Sequence, residues 1–391
     1  MDNTGSPLYT RQFLVLCLST FLFFASFNMI IPELPAYLTT LGGEDYKGLI
    51  IALFALTAGL SRPISGKLAD KIGRVPVMIF GAMVCLCCGF LYPLVGTLAG
   101  FFFLRFLHGL STGFTPTGTA SYLADVVAFD RRGEAMGLLG LSNSVGMAFG
   151  PVIGAYIAQE TSLNTMFYTS SLVAFLAMAM LMSLRETLSN KESFKWPMLR
   201  LKANELYEPN VWPPAVVMAL STFSFGAILT VLPDFSVHLG LSNKGIAFSF
   251  FTVSSLAVRF VAGKLSDRIG RVFILKISAL WLAFSMVLMG FSQEVWYFFM
   301  CASFLGLSVG MSSPTVFAWT IDLSHDQYRG RAMATVYIAL EVGISLGAFF
   351  SGWLYANQAS RLPWVFGLGG GLAFLAFAYL QWVLPKALVR D

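Results

Sequence analysis

Ionisable side chains interrupt runs that are otherwise apolar. Arg105 and His108 stand three residues apart in FFFLRFLHGL, Glu341 stands in ATVYIALEVGISLGAFF, Glu33 in NMIIPELPAYL and Asp234 in VLPDF. Burying such a group in hydrocarbon is costly, so it marks an ion pathway, a ligand contact or a paired charge. Arg105 lies about eight residues into its run, roughly 12 Å deep at 1.5 Å per residue, and snorkelling can relieve part of its charge. His108 is one turn deeper on the same face. It titrates near physiological pH, although a helical histidine often only satisfies a hydrogen bond. No basic residue lies within a turn or two of Glu341 along the chain. An unpaired carboxyl at that depth is expected to keep its proton, because desolvation penalises the charge. Glu341 is therefore a candidate proton carrier, or else a neutral glutamate bonded to a neighbouring helix. Glu33 and Asp234 lie nearer the ends of their runs. They read as a second proton site, as part of an outer gate, or as solvated caps. Asn28, about a turn deeper than Glu33, is a polar group suited to line a cavity.

The elements that hold these groups are long apolar helices. The chain of 391 residues is 57% hydrophobic and only 12% charged, with 37 Phe, and its mean hydropathy is +0.73. A soluble chain carries roughly 25% charged residues. Lipid, not water, must therefore solvate much of the surface. A span needs about 20 mainly apolar residues. Twelve such runs fall near 12–38, 47–68, 76–95, 98–123, 134–158 and 165–185, then 212–237, 244–263, 273–291, 296–321, 332–356 and 363–384. The expected fold is an all-α membrane protein of two six-helix halves, 1–185 and 212–391, joined by a polar linker at 186–211. The first run is too long for a signal peptide and lacks a cleavage pattern, so it reads as a retained helix.

Orientation follows the distribution of Lys and Arg. Of 25, 19 fall in the N-terminus, the even-to-odd loops, the linker and the C-terminus. Lys47, Lys244 and Arg361 fall on the other side, and Arg62, Arg105 and Arg259 lie within or at the ends of spans. Both termini are thus expected in the cytoplasm. The five cysteines sit in apolar runs with no zinc-type partner set and read as packing residues. The net charge of +5 gives no reason to expect nucleic acid.

The chain is also a repeat. GKLADKIGRV at 66–75 returns as GKLSDRIGRV at 263–272, an offset of 197. At that offset Arg62 maps onto Arg259, Asp125 onto Asp322, Arg132-Gly133 onto Arg329-Gly330, and Gly146 and Gly150 onto Gly343 and Gly347. Arg74 can pair with Asp125, and Arg271 with Asp322. Asp70, with Asp267 as its repeat, can sit at the N-terminus of a neighbouring helix, where a negative charge is favoured by roughly 0.3–1 kcal/mol. Gly66 and Gly73 allow close approach and a tight turn. Arg62 and Arg259 precede Gly66 and Gly263 by one turn and read as gate or anchor residues at the cytoplasmic end. Gly146, Gly150 and Gly154 share one helix face that lets a partner approach closely, and Pro151 removes a backbone donor and bends the helix.

These motifs name a family. Over its whole length the chain resembles the major facilitator superfamily. Gly66-Lys67-Leu68-Ala69-Asp70-Lys71-Ile72-Gly73-Arg74 matches the superfamily's loop signature, and Gly263 to Arg271 echoes it in the second half. Arg105-Phe106-Leu107-His108-Gly109 is similar to the R-x-x-Q-G element, with His108 for Gln. Gly146 to Ala155 is similar to the antiporter signature G-x-x-x-G-P-x-x-G-G, with Ala155 for the last Gly. The resemblance points to drug:proton antiporter-like exporters that work by alternating access between two halves. It implies that the loop charges form a latch closing the cytoplasmic side in the outward-open state. It further implies that Arg105 faces a central cavity, tuning a carboxylate or closing the site, and that the helix-5 bend limits leak. In this fold helices 1, 4, 7 and 10 surround the cavity. Phe24, Phe27, Asn28, Arg105, His108, Phe223, Phe225 and Trp319 then suit an amphipathic or aromatic solute.

The expected function is proton-coupled efflux of a small amphipathic or drug-like solute. A sugar or siderophore exporter, a lipid flippase and a facilitator of the same fold remain alternatives. The sequence has no P-loop, no H-E-x-x-H and no G-x-S-x-G, so neither an ATP-driven pump nor an enzyme is expected. No cofactor and no metal are expected. The partners are the solute, protons and the bilayer, and the chain is expected to act as a monomer. Short loops and modest length suggest a bacterial inner membrane.

Overall fold

The computed structural model describes residues 10–127, 132–200, 207–324 and 329–383, without the side chains of 132–134, 260, 264, 329, 330 and 383. The Arg132-Gly133 and Arg329-Gly330 correspondence and both chain termini therefore lie outside the described residues. So does part of the linker.

Twelve long helices follow one another among the described residues. The first six are α1 (Arg11–Ile30), α2 (Lys47–Ile72), α3 (Arg74–Leu91), α4 (Leu98–Val126), α5 (Arg132–Glu160) and α6 (Leu163–Met182). The second six are α7 (Trp212–His238), α8 (Ile246–Ile269), α9 (Arg271–Gly290), α10 (Val295–Leu323), α11 (Arg329–Tyr355) and α12 (Leu362–Ala378). Ten described segments are long and apolar enough to cross a membrane, and the bent α8 makes an eleventh. α4 is equally long, but Arg105 and His108 dilute its apolar run. The first span runs on through a short 3-10 turn at Ile31–Glu33 to Thr40, slightly past its expected end.

Local chemistry sets the helix ends. Thr10, Thr97 and Ser162 cap α1, α4 and α6 by accepting the amides of Phe13, Gly100 and Thr165, which satisfies one orphan donor each. Gly73 (φ +123°) turns α2 into α3, and Gly270 (φ +96°) turns α8 into α9. These two left-handed positions are repeat mates, and a side chain would strain either.

Within the first six helices α1 packs on α5 and α6, α2 on α4, and α3 on α4 and α6. Within the second six α7 packs on α11 and α12, α8 on α10, and α9 on α10 and α12. Small residues allow the tightest crossings. A Cβ on Gly146, Gly150 or Gly154 would lie 2.7, 2.6 or 1.9 Å from the carbonyl oxygen of Phe21, Ala25 or Met29 of α1. On Gly343 or Gly347 it would lie 2.3 or 2.0 Å from that of Ala219 or Phe223 of α7. The glycine stripe of α5 is therefore the bed for α1. Two seams join the sets: α2 lies against α11, and α5 against α8. Exposed Leu60, Phe103, Trp353 and Trp364 stand on the outer faces, where lipid can solvate them.

Candidate functional site: charges along the seams

Two ion pairs close one end of the bundle, here called the lysine end; the opposite end carries the linker. Lys47, at the start of α2, donates to Asp234 of α7 at 2.5 Å. Lys244, just before α8, donates to Glu33 at 2.5 Å. Each bond runs from one six-helix set to the other. Lys47 and Lys244 are themselves repeat mates, as are the glycines that follow them. A Cβ on Gly48 would lie 2.6 Å from the Ala348 carbonyl oxygen of α11, and one on Gly245 would lie 2.3 Å from that of Pro151 of α5. Ala348 and Pro151 are again 197 positions apart. The lysines and the glycine contacts of the seal are thus written twice about a pseudo-two-fold axis, while the two carboxylates sit at different positions of the repeat. Glu33 and Asp234 are not solvated caps, because each carboxylate has a lysine brought to it by the opposite set. The sequence reading took these two carboxylates together and did not join them to Lys47 and Lys244. The offset relates the two lysines but not the two carboxylates.

Midway along the α2–α11 seam, Arg62 donates to Glu341 through its terminal nitrogen at 2.6 Å and its Nε at 3.2 Å. Both side chains are about 90% buried, and the guanidinium carbon stands 4.6 Å from the centre of the Tyr337 ring. This corrects the expectation of an unpaired Glu341. The partner is 279 residues away, and Gly59 lets α2 approach closely enough to deliver it, since a Cβ there would lie 2.9 Å from the Cβ of Glu341. It also places Arg62 on the seam between the halves, short of the helix end where a gate or anchor was expected. On the α5–α8 seam Arg259 reaches Ser144 at 3.4 Å, and its Nε has no partner among the described residues.

Arg105 and His108 belong elsewhere. Both are 1% exposed. Arg105 donates to the Ile50 carbonyl at 2.8 Å and to the Tyr92 hydroxyl at 3.4 Å, and its guanidinium carbon lies 4.6 Å from the centre of the Phe54 ring. His108 lies 3.3 Å from the Tyr92 hydroxyl and 3.4 Å from the Cys85 thiol. Among the described residues Arg105 has no acidic partner. A carbonyl, a hydroxyl and an aromatic face surround it within the first set. Asn28 also turns inward, donating to the Phe24 carbonyl at 2.8 Å, with its Cβ against Gly150.

At the linker end the loop charges pair within their own set. Arg74 bonds Asp125 at 3.1 Å and Asp70 at 2.8 Å. Arg271 bonds Asp322 at 3.0 Å and also pairs with Asp267. The expected pairs with Asp125 and Asp322 therefore form. Asp70 and Asp267 stay well exposed, at 71% and 62%, so among the described residues the latch does not span the halves. Nor, among those residues, does Asp70 reach a helix N-terminus. Glu186 of the linker takes that role, accepting the amides of Arg74 and Val75 at 3.0 Å each at the start of α3. The sequence reading missed Glu186 because it lies 112 residues from the amides it caps. Open space surrounds Gly263, and only Thr117, at 4.0 Å, would meet a Cβ on Gly66.

A bundle of long apolar helices joined along two repeated seams, each with an arginine on it, defines a multi-pass membrane transporter, not an enzyme. The pattern that defines the Major Facilitator Superfamily matches residues 16–246 and 215–390, and the chain belongs to that family of secondary transporters of small molecules. It is 31% identical over 274 residues to the multi-drug resistance efflux pump PmrA of Streptococcus pneumoniae strain TIGR4, covering 64% of this chain and 65% of that one. It is 26% identical over 400 residues to the multidrug resistance protein MdtG of Serratia proteamaculans, covering 98% and 96%. The fold superposes with a TM-score of 0.81 on a peptide transporter POT solved with sulfate, at 14% identity over 99% of this chain and 96% of that one.

Proposed function

We propose that this chain exports a small amphipathic, drug-like solute in exchange for protons, with Glu341 as the coupling carboxylate. The observation that carries the reading is the buried pair between Arg62 and Glu341 across the α2–α11 seam. Two sets of helices that rock about a site between them must break and remake whatever crosses their seam. A proton on Glu341 removes one charge of a buried pair and leaves Arg62 without its counter-ion. Removing one partner of such a pair costs about 3–5 kcal/mol. Proton binding at this residue can therefore shift the equilibrium between two arrangements of the seam. The drug-resistance names of PmrA and MdtG support a drug-like solute and outward transport.

In this reading the linker end faces the cytoplasm and the lysine end faces outside. The conformer described is inward-facing: the lysine pairs seal the outer side while the loop charges stay within their own halves. The loop latch forms in the opposite state. Glu341, charged against Arg62, is in the form that follows proton release to the inside.

Reconstitution tests the proposal. Proteoliposomes under an inward proton gradient should show internal pH changes when a transported solute from a panel of lipophilic cations, organic anions and sugars is added. Solute movement with no linked proton movement would make the protein a facilitator and Glu341 a structural residue.

A further inference from the structure

The two seams are copies of each other with one set of contacts missing. On the α2–α11 seam Arg62 has two partners, the carboxylate of Glu341 and the ring of Tyr337. On the α5–α8 seam the repeat mate of Arg62 is Arg259. The mates of Glu341 and Tyr337 are Ser144 and Gly140. The carboxylate has become a hydroxyl, and the ring has become a hydrogen atom.

The consequences are visible around Arg259. Among the described residues its one hydrogen bond is to the Ser144 hydroxyl at 3.4 Å, its buried Nε has no partner, and no acidic residue pairs with it. The buried Oδ1 of Asn143, next to Ser144, is also unpartnered. A Cβ placed on Gly140 would meet nothing within 4 Å among the described residues, so space opens at the position from which Tyr337 projects on the other seam. A cation at membrane depth without a counter-ion is expensive. The protein meets that expense beside Arg62 from its own chain. Beside Arg259 it supplies neither a carboxylate nor a ring.

We propose that Arg259, Ser144 and the space over Gly140 form a binding subsite for an aromatic anion. The carboxylate or sulfonate of the ligand takes the place that Glu341 occupies beside Arg62, and its ring takes the place of Tyr337. The inference rests on the transport reading in one respect, that solute binds between the two halves. It narrows the solute from amphipathic to amphipathic and acidic. Arginine suits the task, because its planar fork meets a carboxylate or sulfonate bidentately and stacks on aromatic faces.

Three compounds sharing one ring system test the subsite: 2-naphthoate, 2-naphthylmethylammonium and 2-naphthalenemethanol. Each is titrated calorimetrically into the detergent-purified full chain. The expected result is that naphthoate binds at least tenfold more tightly than either of the others. Arg259→Ala should abolish that preference and Arg259→Lys should keep part of it. Ser144→Asp should abolish it from the other side, by supplying the missing carboxylate internally. Aspartate is chosen over glutamate because Leu256 stands where Gly59 makes room for Glu341. Ser144→Asp should also raise the melting temperature, which separates a filled subsite from a misfolded protein. The proposal is overturned if the parent fails to bind naphthoate, binds the ammonium equally well, or keeps its preference in Arg259→Ala. The measurement needs no proton gradient. A naphthoate preference without proton-linked flux in proteoliposomes would keep the subsite and reject the exporter.

Discussion

Ser144 and Glu341 occupy the same place in the two halves of the repeat, yet one offers its arginine a hydroxyl at 3.4 Å and the other a carboxylate at 2.6 Å. The fold is close to two-fold symmetric, and the chemistry is not. Coupling on one seam and solute recognition on the other is a division of labour that this asymmetry allows.

The pair on the charged seam should show itself in stability. Arg62→Ala is expected to lower the melting temperature, because it leaves Glu341 buried without a partner. Glu341→Gln should cost less, because the amide still accepts from Arg62. In the double variant Arg62→Ala with Glu341→Gln the loss should be smaller than the sum of the two singles, by more than about 1 kcal/mol. Strict additivity would mean that the pair contributes no coupling.

The lysine end is expected to respond to charge reversal. Lys47→Asp sets a second carboxylate against Asp234 and should speed amide hydrogen exchange at the start of α2 and the end of α7. Combining it with Asp234→Lys restores an opposite pair and should restore protection. Protection unchanged in the single variant would mean that the pair does not hold this end closed.

Glycine substitutions should divide by position. Gly245→Ala puts a methyl 2.3 Å from the Pro151 carbonyl oxygen. Backbone must move to admit it, so the α5–α8 seam should open at the lysine end and hydrogen exchange there should rise. Gly263→Ala meets nothing within 4 Å and should be neutral, or more stable by up to about 1 kcal/mol from helix propensity. Equal effects at both sites would contradict the packing described.

Glu186→Ala removes the carboxylate that holds two amides of the first turn of α3. Losses of N-terminal caps cost about 0.5–2 kcal/mol. Hydrogen exchange should accelerate in that first turn and leave the core of α3 unchanged.

The sequence made much of the architecture legible. Apolar run lengths located the helices, and the repeated GKLADKIGRV segment exposed the offset that relates the halves. The same offset maps Lys47-Gly48 onto Lys244-Gly245 but does not relate Glu33 to Asp234, so it marks the lysines and not their partners. The carboxylates were not joined to the lysines because charges near span ends usually meet water. The partner of Glu341 was not legible, since local spacing says nothing of which helix lies opposite α11. The surroundings of Arg105 were not legible for a related reason. Its depth is real, but its partners are the Ile50 carbonyl and the Tyr92 hydroxyl, and neither announces itself in sequence. Glu186 was hidden in a linker whose polarity looked sufficient explanation for its charge.

The central claim is that protonation of Glu341 drives exchange. Its most direct test follows internal pH in proteoliposomes while a transported solute is added, with the parent beside Glu341→Gln. The account predicts solute-dependent proton movement in the parent and none in Glu341→Gln, which should still bind solute. Equal proton movement in both would place the coupling proton on another residue and contradict the account.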